Sequence, residues 1–121
     1  MRLLTFKTVA DERGKLTVID RALPFDVKRV FYIYDVVPGA ARGGHRHKKA
    51  VVALVSVAGA CRVTVDNGRE QETYSLDDPA KCLVLAPEDW HVMSDFATGT
   101  VLLALASEPY DPNDYIYEGY R

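Results

Sequence analysis

Apolar and polar positions along this chain follow a period of two far more than a period of 3.6, which predicts strands rather than helices. Lys28 to Val37 is rich in β-branched and aromatic residues, a strand signature. Val51 to Val57 is apolar but for Ser56, as expected of a strand buried on both faces. Arg62 to Val65, the residues up to Leu76, Cys82 to Ala86, Trp90 to Ser94 and Thr100 to Ser107 read as further strands. Turn signals separate them: Asp11 to Gly14, Pro38-Gly39, Ala58-Gly59, Asp66-Asn67-Gly68, Asp77 to Pro79, Pro87 to Asp89 and Thr98-Gly99. Asn67-Gly68 predicts a two-residue type I′ hairpin. Many short strands at this spacing imply an all-β sandwich or barrel. The tail from Tyr110 to Tyr120 holds four tyrosines and reads as a segment docked on a surface, because disordered tails are poor in aromatics.

A chain of 121 residues fits one domain spanning 1–121. Its formal charge of −2 gives no basic excess for nucleic acid or an anionic membrane. No apolar run reaches the length of a membrane span, and Met1 to Lys7 lacks the features of a signal peptide. Cys61 and Cys82 have no Cys-x-x-Cys spacing and read as two buried free thiols, so a cytoplasmic location is expected.

The chain has three histidines. His45 and His47 flank Arg46 after Gly43-Gly44, and His91 follows Trp90. On a strand, residues two apart share a face at roughly 7 Å. Two imidazoles therefore enter one space, and His91 can face them from another strand. Imidazole is both the commonest metal ligand and the side chain that titrates nearest neutrality. The pattern admits a metal site, proton transfer or a structural role. Three neutral histidines suffice for some zinc sites. Arg46, Lys48 and Lys49 disfavour a cation, and no metal is expected.

These residues resemble the cupin superfamily, whose first motif is a glycine, five residues and His-x-His. Gly39 precedes His45 by that spacing. The glutamate of metal-binding cupins is absent, since Val51 and Val52 stand in its place, and Pro87 to His91 lacks the glycine of the second motif. The likeness narrows to the dTDP-sugar 3,4-ketoisomerases through motifs that run in order along nearly the whole chain. They are Asp11 to Gly14, Leu23 to Phe25 with Lys28 to Tyr32, Arg42 to Lys48, Asp66 to Gly68, Trp90-His91 with Asp95-Phe96, and Ala106-Ser107 with Tyr110-Asp111 and Asp114-Tyr115. Arg46 departs from the small residue usual in that family, and strand alternation points it away from the histidines.

The resemblance implies a single-domain cupin-type jelly-roll barrel. It implies an isomerase that moves the ketone of a dTDP-linked 4-keto-6-deoxyhexose from C4 to C3 through an enediol. One imidazole can move the proton between adjacent carbons, with no cofactor and no metal. By resemblance His45 is the base and His47 orients or assists it. Arg13, Arg29, Tyr32, Arg42, Trp90 and His91 are candidate substrate contacts. Arg29 and Tyr32 point to opposite faces of a regular strand, and the Arg42 guanidinium suits a diphosphate. Arg13 and His91 together look like the branch giving a galacto-configured product, which feeds 3-amino-3,6-dideoxyhexose formation for a bacterial surface glycan or a secondary metabolite. The family commonly forms homodimers with exchange of the N-terminal strand. A gluco-product isomerase, a nucleotide-sugar epimerase, a metal-dependent cupin oxygenase and a non-catalytic sugar-binding cupin are the alternatives.

Overall fold

The computed structural model describes all residues, 1–121, and contains twelve strands and one 3₁₀ turn, with no α-helix. The strands are β1 (Arg2–Thr5), β2 (Lys7–Asp11), β3 (Gly14–Val18), β4 (Arg29–Tyr34), β5 (Arg42–His47) and β6 (Val52–Ala58). They continue with β7 (Cys61–Asp66), β8 (Gln71–Leu76), β9 (Lys81–Leu85), β10 (Trp90–Ser94), β11 (Val101–Ala106) and β12 (Tyr115–Ile116). The 3₁₀ turn, Pro112–Asp114, immediately precedes β12. No helix is long and apolar enough to cross a membrane.

Two five-stranded sheets, ordered β1-β9-β6-β11-β4 and β12-β5-β10-β7-β8, carry the core, and β2 and β3 pair only with each other. The pairings are antiparallel, and the sheets do not close on each other. Alternation sends one set of side chains from each sheet into a shared core: Val52 and Leu54 of β6, Val63 and Val65 of β7, Leu83 and Leu85 of β9, and Leu102 and Ala104 of β11. The opposite face of β6 is also covered. Ala53 and Val55 join Phe6, Cys82, Val84 and Leu105 in a second cluster, under Ile19, Leu23 and Phe25. This accounts for the nearly unbroken apolar run of β6, in which Ser56 is the one polar residue. Cys61 and Cys82 are buried, unbonded thiols, and burial pushes both up from the ordinary thiol range.

The Asn67-Gly68 turn differs from its expectation. β7 and β8 pair as far as Asp66 opposite Gln71, so the loop has four residues rather than two. Gly68 has φ of 91°, but Asn67 does not have positive φ. The Asn67 side chain accepts the amides of Arg69 and Glu70, and with the Asn67 amide donating to the Glu70 carbonyl and the Gly68 amide donating to Asp66 it closes the longer loop.

Between the open ends of the sheets lies a cavity of about 520 Å³. Arg29, Phe31 and Ile33 of β4 form one wall, β5 and β10 another, and the C-terminal segment the rim.

Candidate active site

β5 reaches the cavity by an irregular path. His45 lies opposite His91, whereas Gly43 lies opposite Val92, leaving Gly44 as an extra residue. Gly43 and Gly44 have φ of 90° and 81°, conformations that glycine adopts without strain. A Cβ on Gly43 would also come within 2.9 Å of the His91 carbonyl oxygen. The glycine pair therefore lets β5 bulge and approach β10, which sets His45 against His91. Beyond the bulge, regular alternation brings His47 to the same side and sends Arg46 to the other.

The three histidines gather on one wall. The His45 ring centroid is 5.0 Å from that of His47 and 4.8 Å from that of His91. Tyr115 completes the group at 4.6 Å from His45 and 4.7 Å from His47. His47 and His91 are buried, at 7% and 3% exposure, and His45 is the more accessible of the three.

Each buried ring has an oriented Nδ1. His47 Nδ1–H donates to Asp114 Oδ2 at 2.9 Å, and His91 Nδ1–H donates to the Asp89 carbonyl at 3.0 Å. A carboxylate and a carbonyl only accept, so both neutral rings carry the proton on Nδ1 and leave Nε2 bare. Asp114 also accepts the amides of Lys49 at 2.7 Å and Ala50 at 3.3 Å. Burial opposes its charge, but these amides and the imidazole hold its carboxyl below the usual range. The Asp89 side chain accepts from the Ala86 amide and pairs with the Met1 amino group at 2.7 Å, so the turn carrying His91's partner is itself anchored.

Burial drives the electrostatics of the imidazoles. It lowers His45 to about 4, helped by the neighbouring His47 and by Arg29 and opposed by the Gly43 carbonyl. His91 is likewise lowered to about 4, first by burial. Burial lowers His47 too, while Asp114 works against the shift. At neutral pH the cavity presents neutral imidazoles ready to accept protons. Arg29 lies among them, with Nη1–H donating to the Tyr115 hydroxyl at 2.9 Å and its guanidinium 4.4 Å from the Phe31 ring and 4.9 Å from the Tyr110 ring. No group of three or more His, Cys, Asp or Glu side chains is placed to hold a metal ion.

His45, His47, His91, Arg29 and Arg42 all line the cavity. Three other expected contacts do not. Tyr32 is 61% exposed on the outer side of β4, because alternation gives the inner side to Arg29, Phe31 and Ile33. Trp90 precedes the inward-facing His91 and so lies on the outer face of β10, where its Nε1–H donates to the Tyr117 carbonyl. Arg13 sits at the tip of the β2–β3 hairpin, away from the cavity of its own chain, and pairs with Asp11 at 2.7 Å. Asp114, Tyr115 and Tyr117 line the cavity and are not among the residues the sequence singles out. Asp114-Tyr115 belongs to the tail motif carrying the family resemblance, but Asp111 and Glu118 lie close by and composition does not choose among them.

The family model described as "FdtA: WxcM-like, C-terminal" matches residues 1–121. The TDP-4-oxo-6-deoxy-alpha-D-glucose-3,4-oxoisomerase of Aneurinibacillus thermoaerophilus is 40% identical over 124 residues, covering 99% of this chain and 89% of that protein. Among solved structures, the QdtA 3,4-ketoisomerase of Thermoanaerobacterium thermosaccharolyticum, as a double variant with TDP, superposes with a TM-score of 0.93 at 43% identity. That match covers 97% of this chain and 86% of the other. A His-to-Asn variant of the same enzyme in complex with TDP-4-keto-6-deoxyglucose gives a TM-score of 0.93 at 40% identity, with 97% and 86% coverage. A match along the full chain, agreeing in sequence and in fold, establishes that this protein belongs to the FdtA-like family of cupin-fold TDP-sugar 3,4-ketoisomerases.

Proposed function

We propose that the protein converts dTDP-4-keto-6-deoxy-D-glucose to its 3-keto isomer by histidine acid–base chemistry that needs neither a metal nor a redox cofactor. The observation carrying this reading is the cluster of neutral imidazoles beside Arg29 and the Tyr115 hydroxyl. The isomerisation moves two protons: one from C3 to C4, and one from the C3 hydroxyl to the C4 oxygen. His45, the most accessible ring, takes the C3 proton and returns it to C4. The bare Nε2 of His47, backed by Asp114, takes the hydroxyl proton at C3 and passes it to the oxygen at C4. Between these steps Arg29 and Tyr115 donate to the enediolate oxygens, where charge develops. That anion also favours the imidazolium that His45 becomes.

Arg42, exposed at the cavity edge, is proposed to pair with the diphosphate. His91 behind His45 and an arginine at position 13 support delivery of the proton that gives the galacto-configured product. The resulting 3-ketone suits transamination, consistent with a place ahead of 3-amino-3,6-dideoxyhexose formation. The two free buried thiols fit a cytoplasmic enzyme.

A homodimer is part of the proposal; the expected exchange of the N-terminal strand does not fit β1, which pairs with β9 of its own chain, and is proposed instead for the β2–β3 hairpin. β2 and β3 pair with no other strand, and an isolated hairpin is marginal in water. Val9 and Leu16 on it are exposed, as are Val30, Tyr32 and Tyr34 on the edge strand β4. Burying these residues against a second chain covers both surfaces and carries Arg13 toward the partner's cavity. Sedimentation velocity should give twice the 13.5 kDa chain mass, and Val9→Asp with Leu16→Asp should shift the population to monomer. A wild-type monomer at micromolar concentration contradicts the dimer.

Incubation with the 4-keto substrate in D2O with a chelator, followed by NMR, should show a 3-ketone, with its C4 configuration reporting the branch. His45→Asn should lower kcat by about 10²- to 10⁴-fold, the range for a lost acid–base group, while TDP affinity changes little. Retained turnover removes His45 as the base.

The pH dependence follows from the burial of the rings. The acid limb of kcat/KM should lie near pH 4 rather than near 6.5, because His45 stays neutral down to about 4. Stability should also fall with acidity. In the unfolded chain His45 and His91 bind protons below about 6.5, and in the folded protein only near 4, so stability present above 6.5 is lost between those values. Urea titrations from pH 7.5 to 4 measure this. Stability independent of pH across that window contradicts the neutral-imidazole reading.

A further inference from the structure

The chain leaves the cavity at Tyr117 and crosses the outer face of the second sheet. Arg46 Nε–H donates to the Glu118 carbonyl at 3.1 Å, and its guanidinium lies 4.5 Å from the Tyr120 ring centroid. Trp90 Nε1–H donates to the Tyr117 carbonyl at 3.1 Å, and its indole packs beside Gly119. Further on, the Tyr120 hydroxyl donates to the Glu88 carbonyl at 2.7 Å. Arg121 pairs at 2.8 Å with Asp66, a buried carboxylate that also accepts the Gly68 amide. Residues 118–121 thus form a strap pinned to three strands or their turns, on the side of the sheet away from the histidines.

Tyr117 sits where this strap turns over the rim. Its carbonyl and the next one are held from the outer face. Its ring lines the cavity, 6.2 Å from His45 and 6.2 Å from Tyr115 at an interplanar angle of 26°. Tyr117 is 69% exposed, so its side chain is accessible to whatever enters the cavity beside His45.

We propose that Arg46 and Trp90 are positioning residues. By fixing the carbonyls of Glu118 and Tyr117 through the sheet, they hold the Tyr117 ring over the cavity mouth, where it packs against the hexose of the bound nucleotide sugar. A sugar placed with C3 at His45 lies within reach of a ring at that distance, and its apolar C–H face complements an aromatic surface. The chemistry of His45 does not require the strap. Its effect falls on binding.

The test is a double-mutant cycle between Arg46→Ala and Tyr117→Ala, with KM and kcat measured for the 4-keto nucleotide sugar. Each single change should raise KM about 3- to 10-fold, the size of one lost aromatic contact, with kcat nearly unchanged. In the Tyr117→Ala background, Arg46→Ala should add nothing, because its action passes through that ring. Hydrogen exchange should accelerate in residues 116–121 of Arg46→Ala and stay unchanged in β5 and β10. Arg46→Lys, which keeps the charge over Tyr120, should recover part of the KM. Additive KM effects, or an unchanged KM with a mobile strap, overturn the proposal. It rests on the ketoisomerase reading: absent turnover in the wild type counts against that reading, whereas unchanged tail exchange in Arg46→Ala counts against the strap.

Discussion

The Asp114 carboxylate holds the site together. It accepts three hydrogen bonds from groups 64 to 67 residues earlier in the chain: the His47 imidazole and the amides of Lys49 and Ala50. The amides belong to the connection leaving β5, where the buried Ala50 donor would otherwise be left unpaired at a cost of about 1–3 kcal/mol. The same contact seats the 3₁₀ turn, and Tyr115 follows from that turn directly onto β5, opposite His47. One carboxylate therefore sets the tautomer of a cavity-lining histidine, closes the loop after it and delivers the tyrosine that covers it.

The remaining geometry follows from a bulge and from alternation. Gly43 and Gly44 take conformations that side chains resist, and this shifts the register so that His45 meets His91 rather than passing it. The wall that results is crowded with imidazoles, and burial keeps them uncharged. A charged cluster of three rings within about 6 Å of one another would repel itself at effective dielectric values typical of proteins. Neutrality at rest is what allows each ring to receive a proton. Arg29 supplies the fixed positive charge beside them, and its guanidinium donates to the Tyr115 hydroxyl.

Local pattern was enough for the parts of this structure that depend on alternation. It put His45 and His47 on one face, turned Arg46 away and separated Arg29 from Tyr32. The same rule, applied to Trp90 beside His91, also assigns the indole to the outer face, so its candidacy as a substrate contact conflicted with that of its neighbour. The apolar run of β6, broken only by Ser56, correctly implied cover on both sides, while the segment supplying the second cover, Ile19 to Phe25, carries no such signal. Asp114 was illegible for a different reason. Its role arises from a closure across more than sixty residues, and the acidic tail offers several carboxylates with nothing local to rank them. The Asn67-Gly68 loop lengthened because the Asn67 side chain competes for the backbone donors that a tighter turn would use.

The tautomer of His47 is the most direct measure of this arrangement. Nitrogen-15 NMR of the ring nitrogens at pH 7, with His47 assigned by comparison with His47→Asn, reports which nitrogen carries the proton. A neutral ring protonated at Nδ1, with a bare Nε2 and loss of that preference in Asp114→Asn, is the expected result. A ring protonated at Nε2 alone, or one doubly protonated at pH 7, contradicts the account.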